Sequence, residues 1–295
     1  PCRKTSMNPF AEIHPALILL VGALLVPLFR GVWRSAWTIL LPVLALAAVA
    51  ALPSPGEGAQ WTGWTLRVLP WVNEPLTFLR VDGLSKAFAY IFTINAIAAF
   101  VFAFYVKQSG QHIAALIYIG AALGAVFAGD LVSLYVFWEV MAVASTFVIL
   151  ARRTEKAKGS AYRYVLIHLL GGLFFLAGLA ITVAQTGSIA FDGFDFATAQ
   201  NAGTWLILLG FLVNAAAPPF SAWLSDAYPE ASVTGGLILS AYTTKTAVYA
   251  LLRGYEGWEP LIWIGCFMSI YGIIYALLEN DMRRILAYSI INQVG

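Results

Sequence analysis

A single carboxylate stands in the middle of a long apolar stretch of this sequence. The stretch DLVSLYVFWEVMAVASTFVILARR occupies residues 130–153, and Glu139 lies near its centre. About twenty apolar residues in a row are enough to cross a bilayer as a helix. A charged side chain at that depth costs roughly 2.5–3.5 kcal/mol on insertion scales, so it persists only when it is paired, hydrated or neutralised. Glu139 is therefore a candidate ion or proton site.

Two basic side chains lie inside other apolar segments. Lys245 belongs to LSAYTTKTAVYALLR, about ten residues, or roughly 15 Å, from the nearest helix end. A desolvated lysine releases its proton more readily than one in water, which suits a proton relay. His168, in AYRYVLIHLLGGLFFLAG, is the only ionisable group in the interior of its helix. An imidazole can change charge near neutral pH, so His168 is either a relay or a hydrogen-bonded core residue.

Two adjacent prolines interrupt the seventh apolar segment. Pro218 and Pro219 each remove a backbone donor and crowd the preceding turn. We expect a broken helix here, with freed carbonyl groups facing a cavity or neighbouring helices. Asn214 lies one turn before the break, where its side chain either ties up the loosened backbone or joins a polar path.

The last segment, DMRRILAYSIINQVG, has one polar face. Tyr288, Ser289 and Asn292 recur there at helical spacing. This face could line water or form hydrogen bonds to another helix.

The composition indicates which elements must position these side chains. The chain has 295 residues, of which 60% are hydrophobic and only 11% charged. A soluble domain carries about 25% charged residues, so we predict an all-α, polytopic membrane helical bundle. The net charge of +2 gives no indication of a nucleic-acid partner. We find no nucleotide, metal, cofactor or nucleophile motif and expect no reaction chemistry within this chain, although an assembly containing it could be an enzyme.

We count nine apolar spans and the start of a tenth. Residues 1–80 comprise the first two transmembrane helices and an extracytoplasmic loop, and residues 81–295 comprise a transport module. Because Gly295 falls about a dozen residues into the tenth span, we expect a fragment that is truncated in that helix. The spans are roughly 15–30, 36–52, 82–106, 112–129, 131–151, 161–184, 203–228, 236–253, 260–278 and 283 onward.

Basic residues are divided unequally between the two ends of this bundle. One end carries Arg30, Arg34, Lys107, Arg152, Arg153, Lys156, Lys158, Arg163, Arg283 and Arg284. The other carries Arg3, Lys4, Arg67, Arg80, Lys86 and Arg253. Positive charge is retained inside, so we expect a multi-pass protein of the cell (inner) membrane with its N-terminus outside.

The candidate residues share a depth. Glu139, His168, Asn214 and Lys245 stand at comparable depth on four spans. An acid and a base near each other stabilise their charged forms, and moving one changes the proton affinity of the other. We therefore hypothesise that Glu139 and Lys245 are coupled sites on one proton path, with His168 between them.

Four motifs in order resemble those of a known family. They are FWEVM at 137–141, PPFSAWLSDAYPEA at 218–231, TTKTAVYALLR at 243–253 and ENDMRRILAYSIINQVG at 279–295. Together they resemble the proton-translocating antiporter module shared by Mrp-type cation/proton antiporters, complex I antiporter-like subunits and membrane-bound hydrogenases. The resemblance covers roughly residues 80–295, and the sequence is most similar to the D-type subunits of Mrp antiporters.

The resemblance implies a fold of about fourteen helices with two inverted five-helix repeats, the first complete here and the second truncated. It implies that Glu139 matches a glutamate that pairs with a lysine on the broken helix, and that Lys245 matches the central relay. Asn214 departs from the family, which usually has that lysine here. Either Lys245 or His168 replaces the missing partner, or this half of the path has lost conventional coupling.

Three functions remain open at this point. The favoured one is translocation of protons and a monovalent cation, as a subunit of a multi-subunit Mrp-type Na⁺/H⁺ antiporter held in the lipid bilayer with other membrane subunits. The second is a proton-pumping, antiporter-like subunit of NADH:quinone oxidoreductase (complex I) or of a membrane-bound hydrogenase. The third is a structural membrane subunit that does not conduct.

Overall fold

A computed structural model describes residues 13–56, 59–67, 74–197 and 200–295, so Arg3 and Lys4 of the charge comparison lie outside the described residues. The described part forms a helical bundle, as the sequence predicts. Its helices are α1 (Pro15–Leu25), α2 (Val32–Ala51), α3 (Gly83–Phe102), α4 (Ser109–Phe127), α5 (Leu131–Leu150), α6 (Glu155–Thr186), α7 (Ala202–Asn214), α8 (Ala222–Glu230), α9 (Val233–Gly254), α10 (Glu259–Leu278) and α11 (Met282–Val294).

The seventh predicted span is two helices, α7 and α8, as the two prolines indicate. Six helices in the described part are long and apolar enough to cross a membrane, namely α2, α3 with the short turn after it, α4, α5, α6 and α10. α6 begins at Glu155, earlier than the apolar span suggests. The first turns of α6 carry charged residues, because the helix extends beyond the apolar layer.

The connection between α2 and α3 contains short antiparallel strand pairs. β1 (Trp61–Thr62) pairs with β4 (Arg80–Val81), and β2 (Thr65–Leu66) pairs with β3 (Leu76–Thr77). Because Trp61 pairs with Val81 and Thr65 pairs with Thr77, the β2–β3 pair lies inside the β1–β4 pair along the chain. This small hairpin packs onto the start of α5, because the Thr77 amide donates to the Asp130 carboxylate at 2.6 Å.

Contacts between connections place these connections at two ends of the bundle, and α7 and α8 together run from one end to the other. At one end, Arg152 and Arg283 both donate to the Pro229 carbonyl oxygen, at 2.9 and 2.8 Å. At the other end, Arg253 pairs with Asp82 at 2.6 Å, and the hairpin meets the connection that follows α6. The connections that carry Arg152 and Arg283 thus meet at one end of the bundle, and those that carry Arg80 and Arg253 meet at the other.

Glycines allow α6 and α7 to approach closely. A Cβ atom on Gly178 would lie 2.5 Å from the Gly203 carbonyl oxygen, and one on Gly210 would lie 2.8 Å from the Gly171 carbonyl oxygen. Small residues permit such backbone contact between membrane helices, where van der Waals packing drives association. The α6–α7 contact fixes the position of the helix break relative to α6.

His14 caps α1 and makes stability depend on pH. Its Nδ1 accepts from the Ala16 amide at 3.1 Å, its Nε2 lies 2.8 Å from the Phe78 carbonyl oxygen, and burial lowers its pKa from 6.5 to about 4. The unfolded chain therefore binds the extra proton between pH 6.5 and about 4, so stability falls as pH drops through that window. The loss amounts to about 3 kcal/mol at 1.36 kcal/mol per pKa unit.

Thermal unfolding in detergent between pH 7 and pH 4 measures this effect. The variant His14→Gln does not titrate, so its melting temperature should fall less steeply than that of the wild type across the window. Parallel curves for the two proteins would show that His14 does not contribute this pH dependence.

Candidate functional site at the broken helix

The helix break lies between Asn214 and Ala222, with Pro218 and Pro219 inside it. Ala216 has a φ of 60°, a left-handed conformation that L residues rarely adopt, so the chain turns sharply here. The Val213 carbonyl oxygen accepts from the Ala216 amide at 3.2 Å and from the Trp223 indole at 2.9 Å. A side chain from the far side of the break therefore contributes a hydrogen bond to the backbone at the end of α7.

Asn214 is completely buried at the last position of α7. Neither its Nδ2 nor its Oδ1 has a hydrogen-bond partner. The side chain faces α6, where a Cβ on Gly171 would lie 3.5 Å from Oδ1. The Asn214 side chain therefore makes no hydrogen bond to the loosened backbone, which was one of the two roles that the sequence left open. A buried amide without a protein partner indicates a position where water or an ion can bind.

Glu139 reaches the same part of α6 from α5. Its Oε1 is buried without a hydrogen-bond partner. This oxygen would lie 2.0 Å from a Cβ on Gly172, so the carboxylate occupies the space that the absent side chain leaves. The remainder of Glu139 lines a groove of about 530 Å³ between α4 and α5 whose other walls are apolar. The carboxylate therefore lies between the α6 backbone and the outer surface of the bundle.

His168 lies one turn before these glycines and is buried. Its Nδ1 lies 2.9 Å from the Tyr164 carbonyl oxygen, while Nε2 is buried without a partner. Its ring stacks on Tyr164 with centroids 3.9 Å apart and meets the Trp223 ring edge-on at 4.5 Å. The imidazole thus joins α6, through Tyr164, to the half-helix α8, through Trp223.

Lys245 is partly buried on α9. Its Nζ donates to the Ser240 carbonyl oxygen at 2.9 Å, so the side chain turns back along its own helix. The hydroxyls of Thr244 and Thr246 beside it are buried without partners. Ser240 lines a groove of about 420 Å³ between α9 and α11, which connects this part of α9 to the outside of the described bundle.

The structure brings Glu139, Asn214 and His168 together at one stretch of α6 but does not bond them to one another. Glu139 packs against Gly172, the Asn214 side chain faces Gly171, and His168 is one turn away. Within the described part of the chain, no hydrogen bond or ion pair joins Glu139, His168 and Lys245 to one another. Any coupling between the acid and the base must therefore pass through intervening groups, and it stays a prediction.

The polar face predicted on the last helix is divided between two surroundings. Tyr288 stacks on Tyr275 of α10 at 5.4 Å, and the backbone of Asn292 packs against Gly272. Ser289 instead lines the groove between α9 and α11 and accepts from Gln293 at 3.3 Å. The two possibilities, helix contact and lining of an open space, therefore apply to different residues of this face.

Sequence reasoning missed a set of buried hydroxyl groups beside these residues. Tyr118 of α4 bonds to Thr243 of α9 at 2.7 Å, and Tyr164 of α6 donates to Ser145 of α5 at 2.9 Å. Thr243 belongs to the polar stretch TTKT that contains Lys245, but Tyr118 and Ser145 lie in apolar segments with no local signal. Among the described residues, no group of three His, Cys, Asp or Glu side chains could hold a metal ion.

Residues 128–295 match the family model described as NADH:quinone oxidoreductase/Mrp antiporter, TM. The A-type subunit of the Na(+)/H(+) antiporter of Alkalihalophilus pseudofirmus is 28% identical over 97% of this chain, which spans 38% of that relative. The N-type subunit of the NADH-quinone oxidoreductase of Desulforudis audaxviator is 28% identical over 96% of this chain and 61% of its own length. These relatives are of the A and N types, so the finer resemblance to the D type stays a prediction.

Solved structures show the same arrangement of helices. The membrane-bound sulfane sulfur reductase, an archaeal respiratory membrane complex, contains a chain that matches with a TM-score of 0.83 and 26% identity, over 96% of this chain and 50% of that one. The Mrp complex from Dietzia sp. matches with a TM-score of 0.79 and 22% identity, over 98% and 58%. Because the Mrp complex chain is only 22% identical to this chain, that match establishes the fold alone.

Proposed function

The chain belongs to the NADH:quinone oxidoreductase/Mrp antiporter transmembrane family, and from this premise we propose that it moves protons across the cell membrane, in exchange for a monovalent cation, as one subunit of a multi-subunit Mrp-type antiporter. The chain spans about two fifths of its A-type antiporter relative, and that relative's description as one subunit of an antiporter supports a multi-subunit assembly. The end that carries Arg152 and Arg283 faces the cytoplasm in this proposal, which places the N-terminus outside.

One observation supports the proposal above the others. Glu139, His168 and Asn214 each present a buried polar atom without a protein partner, and all three lie beside one short stretch of α6 next to a helix break. Ionisable and polar groups inside a membrane protein are costly and mark ion pathways by default. Broken helices in transporters lie at such sites because their freed backbone groups can line a polar cavity.

The roles of the residues follow from their chemistry. Glu139 takes up and releases a proton at the outer side of α6, and Lys245 is the basic site on α9. His168 lies on α6 and contacts Trp223 of α8, so its protonation can respond to movement of the half-helix. Asn214 cannot carry a proton, but its amide can orient a water molecule or a cation beside the α6 glycines.

Proton flux in the reconstituted complex tests this function. We expect Glu139→Gln to lower flux about tenfold or more, because positioned acid–base groups contribute roughly 10²–10⁴ to proton-transfer rates. The matched control is Glu259→Gln, which makes the same change at an exposed position in the first turn of α10. Equal flux in the wild type and Glu139→Gln would remove Glu139 from the path.

Two specific observations keep the other functions testable. The match to an N-type subunit and to an archaeal respiratory complex favours a redox-driven assembly as the second candidate. Neighbouring genes for small antiporter subunits would support the first candidate, and genes for iron–sulfur and quinone-reducing subunits would support the second. Asn214 favours a non-conducting subunit, which predicts that the wild-type complex carries no flux through this chain.

A further inference from the structure

Two cavities on the outside of the bundle adjoin at one ion pair. Arg163 of α6 donates to Asp226 of α8 twice, from Nε to Oδ2 at 2.8 Å and from Nη2 to Oδ1 at 2.9 Å. This pair lines a cleft of about 620 Å³ on one side and a groove of about 400 Å³ on the other. Charged side chains form most of the cleft wall, whereas the rest of the groove wall is apolar and aromatic. The ion pair therefore marks a boundary between a polar space and an apolar one.

The same boundary falls along one face of α6. Glu155, Lys156 and Gly159 line the cleft in the first turns of this helix. Leu166 and Ile167 line the groove, about one turn beyond the ion pair. Residues three or four apart lie on the same side of a helix, so these positions form one continuous strip. This strip is polar at the end of the bundle and apolar towards its middle.

Half-helix α8 shows the same change of polarity in the opposite chain direction. Ala222 and Trp223 line the groove before Asp226, and Pro229 and Glu230 line the cleft after it. Because α6 and α8 run in opposite directions past each other, the two changes fall at one level, that of the ion pair. The two helices therefore enclose a site that is polar towards the bundle end and apolar towards the helix break.

The cleft offers positive charge to a ligand. Lys156 makes no hydrogen bond or ion pair within the part of the chain that the structure describes. Arg283 donates only to the carbonyl oxygens of Pro229 and Ala231, at 2.8 and 3.0 Å, and has no carboxylate partner. The carboxylates of the cleft are all engaged, in the pairs Asp226–Arg163, Glu230–Arg152 and Glu155–Lys158 and between Asp281 and the first amides of α11.

We propose that the cleft and the groove together bind one anionic phospholipid, with its phosphate in the cleft beside Lys156 and Arg283 and one acyl chain in the groove. Lysine and arginine form strong, charge-assisted hydrogen bonds to phosphate, and basic pockets between membrane helices bind anionic headgroups. A free phosphate would use only the cleft, and a hydrocarbon only the groove, so the junction of the two favours a lipid. This inference goes beyond the proposed function and does not depend on transport.

A lipid in this position would hold the half-helix α8 against α6. Each cavity has one wall on α6 and another on α8. Trp223, in the groove wall, also meets the His168 ring with centroids 4.5 Å apart. The acyl chain would therefore contact residues beside the helix break from the outside of the bundle.

Photo-crosslinking in proteoliposomes that contain the whole assembled complex tests this site. The probes are phosphatidylglycerol and phosphatidylcholine, each with a diazirine in one acyl chain, and peptide mass spectrometry locates the labelled residues. We expect phosphatidylglycerol to label Leu166 and Phe220 of the groove about tenfold more than phosphatidylcholine does, because two basic residues without carboxylate partners act on its headgroup. Ile91 and Ile94, exposed on α3, are the reference positions and should show no such preference.

The variant Lys156→Gln removes one of these charges without removing a bond within the protein. The preference for phosphatidylglycerol in the groove should fall about fivefold, as expected for one basic residue near an anionic headgroup. The matched control is Lys107→Gln, which makes the same change at an exposed lysine outside the cleft and should leave the preference unchanged.

The other outcomes would contradict the lipid site. Equal labelling by the two probes in the groove would show only bulk lipid, and an unlabelled groove would show that no lipid reaches it. A preference that survives in Lys156→Gln, or falls equally in Lys107→Gln, would exclude the cleft as the headgroup site. Loss of labelling on addition of inorganic phosphate would assign the cleft to free phosphate. Because none of these results measures proton flux, they leave the proposed function to its own test.

Discussion

Replacing Lys245 by Met should abolish ion movement through the reconstituted complex while leaving assembly intact. Methionine keeps the length and the apolar stem of lysine but removes the amine, so packing on α9 changes little. The lost group is the basic site on α9 that, in our proposal, accepts and releases the proton. We expect flux to fall about 100-fold or more, in line with the contribution of positioned acid–base groups.

A second lysine provides a close control for this substitution. Lys86 on α3 is also partly buried, and its Nζ donates to the Leu52 carbonyl oxygen at 2.8 Å, much as Lys245 donates to Ser240 at 2.9 Å. Lys86→Met should therefore cost the same kind of hydrogen bond, together with one to the Ser54 hydroxyl, without affecting flux. Undiminished transport in Lys245→Met, or an equal loss in Lys86→Met, would contradict the role of Lys245.

The second large effect concerns folding, and it comes from Gly178→Ala. The added Cβ would lie 2.5 Å from the Gly203 carbonyl oxygen and 2.7 Å from the Ile207 amide nitrogen. Both are main-chain atoms, so α7 as a whole must move away from α6. Overpacking typically costs about 1–3 kcal/mol, and backbone obstacles place this site at the upper end. The measurement is the melting temperature and yield of purified protein in detergent.

Gly159→Ala makes the same substitution on the same helix where space is available. The nearest atom to its Cβ would be Arg163 Nη1 at 3.5 Å, an ordinary contact with a flexible side chain. Alanine has a higher helix propensity than glycine by up to about 1 kcal/mol, so this variant should be neutral or slightly stabilised. Equal melting temperatures for the two variants would show that the α6–α7 contact does not limit stability.

The sequence identified the break but not its internal contacts. Pro218 and Pro219 are sufficient to interrupt a helix, because the missing donors and the ring clashes are local properties of the residues. That the Trp223 indole would donate to the Val213 carbonyl depends on where α8 turns after the break. No rule based on neighbouring residues gives that direction, so Asn214 remained an equal candidate for the same role.

Chain composition also indicated where the apolar spans lie, but less accurately where helices begin. Hydropathy reports the apolar layer, whereas α6 starts at Glu155 because Thr154 caps it, its hydroxyl accepting from the Ala157 amide at 3.1 Å. The short strand pairs before α3 were not predicted either. Their two-residue pairings depend on contacts with α5 and on the hairpin register rather than on local propensity.

The sequence by itself determined that this is a membrane helical bundle, that Glu139, His168 and Lys245 are ionisable groups inside apolar segments, and that its motifs are those of the antiporter family. These properties are local, because a charge inside an apolar run is costly wherever the run folds. Only the tertiary structure decided that Gly172 faces Glu139 and that Tyr118 meets Thr243, 125 residues away. A helix that is apolar on every side carries no periodic signal of which face it packs, so these contacts emerge only when the helices are assembled.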